Sequence, residues 1–131
     1  MQITLIYGTN TSGTYEAARL IAEELTAKKH TVRLVHARAA TALQVKRAEA
    51  LIFGSCTWES IKNGVRTEGE LQQDFARFAA ELGALQIPGK RVAIFALGDK
   101  NYTHFCNAAV HLEKLTEKIG AKIIIGHVKT C

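Results

Sequence analysis

Short apolar runs alternate with amphipathic stretches along the whole chain. Residues 3–7, 48–54 and 91–97 are apolar enough to predict β-strands, and the last two runs are continuous enough to be buried on both faces. Residues 31–35 alternate in polarity, which predicts a strand at a sheet edge. A further strand is predicted over residues 122–128.

Between these strands, apolar residues recur at helical spacing. The first helix is predicted over residues 15–28, with an apolar face made of Ala17, Leu20, Ile21 and Leu25. The second is marked by Leu71, Phe75, Phe78, Ala79 and Leu82. The third has the stripe Ala108, Leu112, Leu115 and Ile119, closed by Gly120.

The intervening segments include two polar loops and one region of ambiguous pattern. Residues 55–69 are predicted to form a polar loop that contains glycine, and residues 87–90 a turn. Residues 39–47 are too short and mixed to assign. Strands alternating with helices at this spacing predict an α/β fold, in which a doubly wound parallel sheet carries helices on both faces.

In such a sheet, ligands bind beyond the carboxyl ends of the strands. Three segments should meet there: residues 8–14, 54–69 and 97–106. The first contains Thr9, Asn10, Thr11, Ser12, Gly13 and Thr14. Hydroxyls and free backbone N–H groups at the start of a helix hold a phosphate without a basic side chain. The absence of Lys or Arg distinguishes this turn from a GxxxxGK[ST] loop.

The other two segments each carry an aromatic residue. Trp58, the single tryptophan, follows the third predicted strand, and core packing and ligand stacking are equally plausible for it. Tyr102 occupies a comparable position after the fourth predicted strand. Together the two rings would enclose a flat heterocycle, so with the phosphate turn they indicate a site for a phosphorylated planar ligand.

On these motifs, the chain resembles the flavodoxin family from residue 1 to about residue 128. Residues 9–14 are similar to the family's [ST]-x-T-G-x-T loop for the FMN phosphate, and residues 55–58 and 98–106 to its two loops around the isoalloxazine ring. Residues 98–105 also resemble the FMN domain of diflavin reductases. The resemblance implies a flavodoxin-like sheet of order 2-1-3-4-5, noncovalent FMN and one-electron transfer between protein partners.

The resemblance also implies roles for individual residues. Residues 9–14 would bind the phosphate, with Ser12 where the family usually has glycine and Gly13 directly after it. Trp58 and Tyr102 would pack against the two faces of the ring. The remaining contacts to the ring are expected from Ser55, Cys56, Thr57, Glu59, Leu97, Gly98, Asp99, Phe105 and Cys106.

The end of the sequence departs from the family pattern. Members usually continue into a last helix that covers one sheet face, whereas residues 1–131 form a single domain in which that helix is missing. We therefore expect Ile94 or Phe95, with members of the run 123–125, to be exposed over an unusually large area. A homodimer, a second chain covering this face, or excision from a larger flavoprotein would each account for it, and self-association is favoured.

Charge is a second departure, since flavodoxins are typically acidic and this chain has a formal net charge of +5. Lys62, Arg66 and Lys100 lie on the expected flavin loops, so redox partners with acidic docking surfaces are expected. The basic residues are scattered along the sequence, which favours a solvated surface over nucleic-acid binding. No apolar run approaches the roughly 20 residues that cross a bilayer, and three cysteines without CxxC spacing indicate cytoplasmic thiols rather than disulfides.

Two functional interpretations stay open. One is an FMN electron carrier without substrate chemistry of its own; the other is a flavodoxin-like assembly or regulatory subunit that binds flavin weakly or not at all. NAD(P)H quinone reductase activity is disfavoured, because no added nicotinamide-binding segment is present. The five histidines lack metal-ligand spacing and are interpreted as surface or packing residues.

Overall fold

Strands and helices alternate through the part of the chain that the structure describes. The structure, a computed structural model, describes residues 1–9, 12–62, 65–71, 73–83, 85–97, 108–123 and 128–129. The strands are β1 (Gln2–Gly8), β2 (Thr31–His36), β3 (Ala50–Lys62), β4 (Val65–Leu71), β5 (Arg91–Leu97), β6 (Lys122–Ile123) and β7 (Val128–Lys129). The helices are α1 (Ser12–Ala27), α2 (Ala42–Arg47), α3 (Gln73–Leu82) and α4 (Ala108–Lys118), with a 3-10 turn at Ala37–Ala39.

The sheet has the strand order β2-β1-β3-β5-β6, and each of these neighbours pairs in parallel. β7 pairs in parallel with the carboxyl end of β5. The predicted fifth strand therefore corresponds to β6 and β7, while residues 124–127 lie outside the description. The predicted order 2-1-3-4-5 is confirmed.

Each face of the sheet has its own apolar core. On one face, buried side chains of β1, β3 and β5 pack against Ala18 of α1, with Ile21 and Leu25 partly buried beside them. On the other face, the larger core includes Val45 of α2, Phe75 and Phe78 of α3, and Leu112 of α4. This arrangement confirms helices on both faces, which is why the first four residues of β3 and nearly all of β5 are apolar.

The first helix begins earlier than the sequence pattern predicts. α1 starts at Ser12 rather than at residue 15, and its buried stripe includes Thr14 and Ala18. Leu20 was wrongly placed on this stripe, because it is 57% exposed. Residues two apart on an α-helix point about 200° apart, so burial of Ala18 directs Leu20 to solvent.

The predicted polar loop over residues 55–69 is wrong. β3 continues to Lys62 and forms an antiparallel hairpin with β4. The register shifts between the pairs Trp58–Glu70 and Ser60–Thr67, so the β4 side carries one more residue than the β3 side. Leu71, assigned by its spacing to the second helix, is instead the last residue of β4.

Two predicted turn signals are confirmed by backbone geometry. The Lys90 N–H donates to the Ile87 carbonyl at 3.1 Å, and Gly89 has φ of +75°, as a turn with Pro at its second and Gly at its third position requires. Gly120 also has φ of +75° and ends the last described helix.

The expected exposure of the sheet face is wrong for both residues of β5. Ile94 is 3% exposed and Phe95 is 5% exposed. Ile94 faces the larger core, whereas the ring of Phe95 leans across the neighbouring strand over Gly54. A glycine in that strand makes room for the ring, which therefore joins the core under α1.

No helix in the described ranges is long and apolar enough to cross a membrane.

Candidate functional site

The carboxyl ends of β1 and β5 lie beside the last residues of β3 that pair in parallel, and together they form one edge, as the sequence predicted. Gly8 of β1 is in register with Ser55 of β3, and Ser55 is in register with Ala96 of β5. The three predicted ligand segments therefore leave the sheet side by side: after Gly8, through Ser55 and Cys56, and after Leu97.

The first segment leads directly from β1 into α1. Thr9 is half-buried, Thr14 is 1% exposed, and Asn10 and Thr11 lie outside the described residues. Ser12 and Gly13 are the first two residues of α1 and have helical backbone. Because a right-handed helix suits any L-residue at this point, Ser12 does not require the conformational freedom of the glycine usual in the family.

The start of α1 is electrostatically suited to an anion. Its first turn contains no acidic residue. The free N–H groups and the positive end of the helix dipole therefore face the edge of the sheet without a carboxylate on that turn to oppose a phosphate.

His36 holds the backbone of this turn, a contact that the sequence analysis did not find. The Arg38 N–H donates to His36 Nδ1 at 3.0 Å, so Nδ1 is an acceptor and the ring proton lies on Nε2. Nε2 lies 3.2 Å from the Thr9 carbonyl oxygen and donates to it. The one hint of this contact is the place of His36 at the end of β2. There it is in register with Tyr7, which precedes Thr9 by two residues.

Two tyrosines lie beside this contact. The Tyr7 ring packs edge-on against His36, with ring centroids 5.2 Å apart, and its centroid lies 5.7 Å from that of Tyr15. Burial raises the pKa of Tyr7; the proximity of Tyr15 raises that pKa further, and Arg38 opposes the shift. Tyr7 is therefore a neutral hydrogen-bonding group beside the turn at neutral pH.

The second segment starts as buried strand and continues into the hairpin. Ser55 is fully buried, and its hydroxyl donates to the Cys56 carbonyl at 2.9 Å. Cys56 is half-buried. Thr57, Trp58 and Glu59 lie within β3, with Thr57 and Trp58 paired to Leu71 and Glu70, so the predicted aromatic lies on a hairpin strand.

For the third segment, the structure describes the strand before it and the helix after it. β5 ends at Leu97 and α4 begins at Ala108. Gly98, Asp99, Tyr102, Phe105 and Cys106 lie outside the described residues, and their assignment to the site stays a prediction.

Within the described ranges, no group of three or more His, Cys, Asp or Glu residues could hold a metal ion.

The comparisons with known proteins agree with this geometry. The family model described as Flavodoxin matches residues 5–130. This chain belongs to the flavodoxin family. A flavodoxin of Maridesulfovibrio salexigens is 32% identical over 121 residues, covering 92% of this chain and 79% of that protein.

Two other relatives extend the comparison. The crystal structure of oxidised flavodoxin 2 from Bacillus cereus has a TM-score of 0.86 and 29% identity, covering 98% of this chain and 83% of that one. The flavoprotein alpha-component of the NADPH-dependent sulfite reductase from Cronobacter sakazakii is 26% identical over 129 residues, which are 96% of this chain and 20% of that protein. Both predicted resemblances, to flavodoxins and to a module of a diflavin reductase, are confirmed.

Membership of the family decides between the two functional interpretations. This flavodoxin is an FMN-binding electron carrier rather than an enzyme, and the flavin-free subunit is not favoured. The residues at the sheet edge fit FMN, since an acid-free helix start follows β1 and lies next to the ends of β3 and β5.

Proposed function

We propose that residues 9–14 bind the FMN phosphate and that residues 55–59 and 97–106 hold the isoalloxazine ring. The observation that supports this assignment is the common edge of Gly8, Ser55 and Ala96, from which all three segments leave the sheet. The start of α1 supplies phosphate donors at that edge, while the other two segments supply the aromatic residues.

At the phosphate end, binding would rest on neutral donors. Backbone N–H groups at the start of α1 and the hydroxyls of Thr9, Thr11, Ser12 and Thr14 form the donor set, with Asn10 beside them. His36 keeps the Thr9 carbonyl engaged and therefore turned away from the anion. The helix dipole provides the positive potential that a Lys side chain provides in other phosphate loops.

At the ring end, Trp58 and Tyr102 would enclose the isoalloxazine, and the polar groups of Ser55, Thr57, Glu59 and Asp99 would lie near its edge. Bound FMN accepts and releases electrons one at a time. The chain's own residues position the ring, exclude water from its faces and set the electrostatic potential around it.

Comparison of FMN with riboflavin, which lacks the phosphate, tests the phosphate assignment. In Ser12→Glu, a carboxylate would oppose the phosphate; since juxtaposed like charges cost several kcal/mol, we expect FMN affinity to fall at least about tenfold. Riboflavin affinity should stay close to that of the native protein. Ser12→Gln is the matched neutral control; it loses the hydroxyl but adds no charge and keeps a side-chain donor, so its FMN affinity should fall clearly less than that of Ser12→Glu, as measured by quenching of flavin fluorescence.

Variants in the ring segments should behave differently. Trp58→Ala and Tyr102→Ala should weaken FMN and riboflavin by the same factor, because both ligands carry the ring. Equal effects of Ser12→Glu on both flavins would contradict the phosphate assignment without affecting the ring assignment.

The partners are proposed to be redox proteins with acidic docking surfaces. Support comes from the net charge of +5 and from Lys62, Arg66 and Lys100 in the flavin segments. A cytoplasmic location is also proposed, supported by three cysteines without CxxC spacing.

Self-association, or a second chain over the sheet face, is a proposal with less support than the sequence suggested. Ile94 and Phe95 are buried within this chain, whereas Ile123 at the edge strand β6 is half-buried. Sedimentation velocity over a concentration series tests it. A sedimentation coefficient that rises with concentration would support association, and a constant monomer value would contradict it.

A further inference from the structure

A pocket lies at the opposite end of the sheet from the flavin segments. It has a volume of about 270 Å³ and is lined by Gln2, Thr4, Arg33, Leu43, Gln44, Arg47 and Ala48. Gln2 begins β1 and Gly8 ends it, so six residues of extended strand, roughly 20 Å, separate the pocket from the flavin edge.

Strand register and helix spacing explain why these side chains meet. Thr4 is in register with Arg33, and both point away from the face on which Ile3 and Leu5 pack under α1. Leu43 and Arg47 are four residues apart on α2, so they share one face of that helix. The pocket is therefore the space between the amino ends of β1 and β2 and the α2 helix.

The pocket combines two guanidinium groups with neutral polar groups. Arg33 and Arg47 are exposed, and neither is among the ion pairs found in the described part of the chain. The Thr4 residue is 5% exposed, and Gln2 and Gln44 contribute amides. Arginine is suited to carboxylate and phosphate because its planar group presents paired N–H donors.

The surroundings of the pocket add further positive charge. The Lys90 ammonium donates to the Lys46 carbonyl at 2.9 Å and also to the carbonyl of Ala48 in the pocket lining. The opposing charge is Glu49, whose Oε1 accepts from the Gln2 N–H at 3.1 Å. The cations around the pocket outnumber this carboxylate.

We propose that this pocket binds a small oxyanion, a carboxylate or a phosphate, independently of the flavin. Its volume is below the roughly 300–1,000 Å³ of sites for drug-sized ligands, so the ligand is small. Leu43, 53% exposed at the rim, offers an apolar contact for a short carbon chain on that ligand.

The test uses the FMN-loaded protein, so that the phosphate turn at the other end is already occupied. Inorganic phosphate and malonate are titrated separately while backbone amide shifts are followed by NMR. Saturable shifts at Gln2, Thr4, Arg33 and Arg47 are expected with at least one anion, and the anion that saturates identifies the ligand chemistry. If neither anion saturates these amides in the millimolar range, the proposal is overturned.

Variants assign the binding to the two arginines. Arg33→Gln and Arg47→Gln should each weaken the anion about tenfold or more, since a charge-assisted hydrogen bond contributes about 1.5–3 kcal/mol. Arg77→Gln removes the same charge from α3 and should leave binding unchanged. Arg33→Lys keeps the charge but loses the paired donors, so an intermediate loss is expected. Equal weakening by Arg77→Gln would show a general charge effect and overturn the site.

Discussion

At the scale of single residues, the contact between His36 and Thr9 is the least expected feature of the flavin end. Sequence spacing indicated only that His36 is no metal ligand. The structure adds that its ring joins the end of β2 to the turn after β1, through Arg38 N–H on one nitrogen and the Thr9 carbonyl on the other. His36 is thus a positioning residue for the turn that is proposed to bind the phosphate.

We expect His36→Ala to weaken FMN about two- to tenfold, because one hydrogen bond contributes about 0.5–1.5 kcal/mol. Riboflavin affinity should change little, since it lacks the phosphate that this turn is proposed to bind. His36→Gln, whose amide can also donate to the Thr9 carbonyl, should restore part of the FMN affinity. Fluorescence titration measures the affinity of both variants for both flavins. If His36→Gln binds FMN no better than His36→Ala, the hydrogen bond to Thr9 is not the cause of the loss.

At the scale of elements, the packing of β3 beside β5 depends on one glycine. Gly54 and Phe95 are in register, and a Cβ added to Gly54 would overlap ring atoms of Phe95. The next residue, Ser55, belongs to the edge from which the flavin segments leave. This close approach therefore buries Phe95 directly beside the edge that carries the predicted site.

Gly54→Ala should lower the free energy of unfolding by about 1–3 kcal/mol, the usual cost of overpacking a core. Replacing the ring should relieve the overlap, so the same Gly54→Ala change should cost clearly less in a Phe95→Leu background. Urea denaturation of the native protein, Gly54→Ala, Phe95→Leu and the double variant gives the four free energies of unfolding for this double-mutant cycle. An equal cost in both backgrounds would mean that Phe95 is not the obstacle.

Element boundaries also show what local pattern can reveal. The continuous apolar run from Ala50 predicted the start of β3, because a strand buried on both faces is apolar throughout. The alternating run from Thr31 predicted β2, because a strand buried on one face alternates in polarity. The hairpin from Thr57 to Leu71 left no such trace. Its pairing depends on contacts between the two strands, and its polar composition is equally compatible with a loop.

At the scale of the whole molecule, the fold collects basic residues that are scattered in the sequence. Strand amino ends and helix carboxyl ends share one end of a parallel α/β sheet. The following lie at that end: Lys28, Lys29, Arg33, Lys46, Arg47, Lys90, Arg91, Lys118 and Lys122. Basic residues that are scattered along the sequence are therefore gathered at one end of the fold.

Because these basic residues lie at the far end of the sheet, they should have only a weak effect on how fast charged redox reagents reach the flavin. The basic end is roughly 20 Å from the flavin edge along β1, about twice the Debye length at moderate salt. We expect ferricyanide, an anionic oxidant, to oxidise the reduced protein faster at low ionic strength, with only a modest slowing as salt is added. A cationic cobalt complex should show the opposite dependence.

Stopped-flow oxidation of the reduced flavin measures both rates. A rate with ferricyanide that rises with ionic strength would show that the flavin edge is negative, and it would overturn the proposal of partners with acidic docking surfaces.

The sequence alone determined the fold class, the strand order through family resemblance, and which three segments follow the strands at one edge of the sheet. Periodicity and turn chemistry are local, so they can be read from neighbouring residues such as Gly89 and Gly120. Only the tertiary structure decided that Leu20 is exposed, that Phe95 is buried over Gly54, that His36 contacts the Thr9 carbonyl, and that Arg33 and Arg47 share a pocket. Each of these depends on residues far apart in sequence, whose distance in space follows from the register of the strands and the packing of the helices.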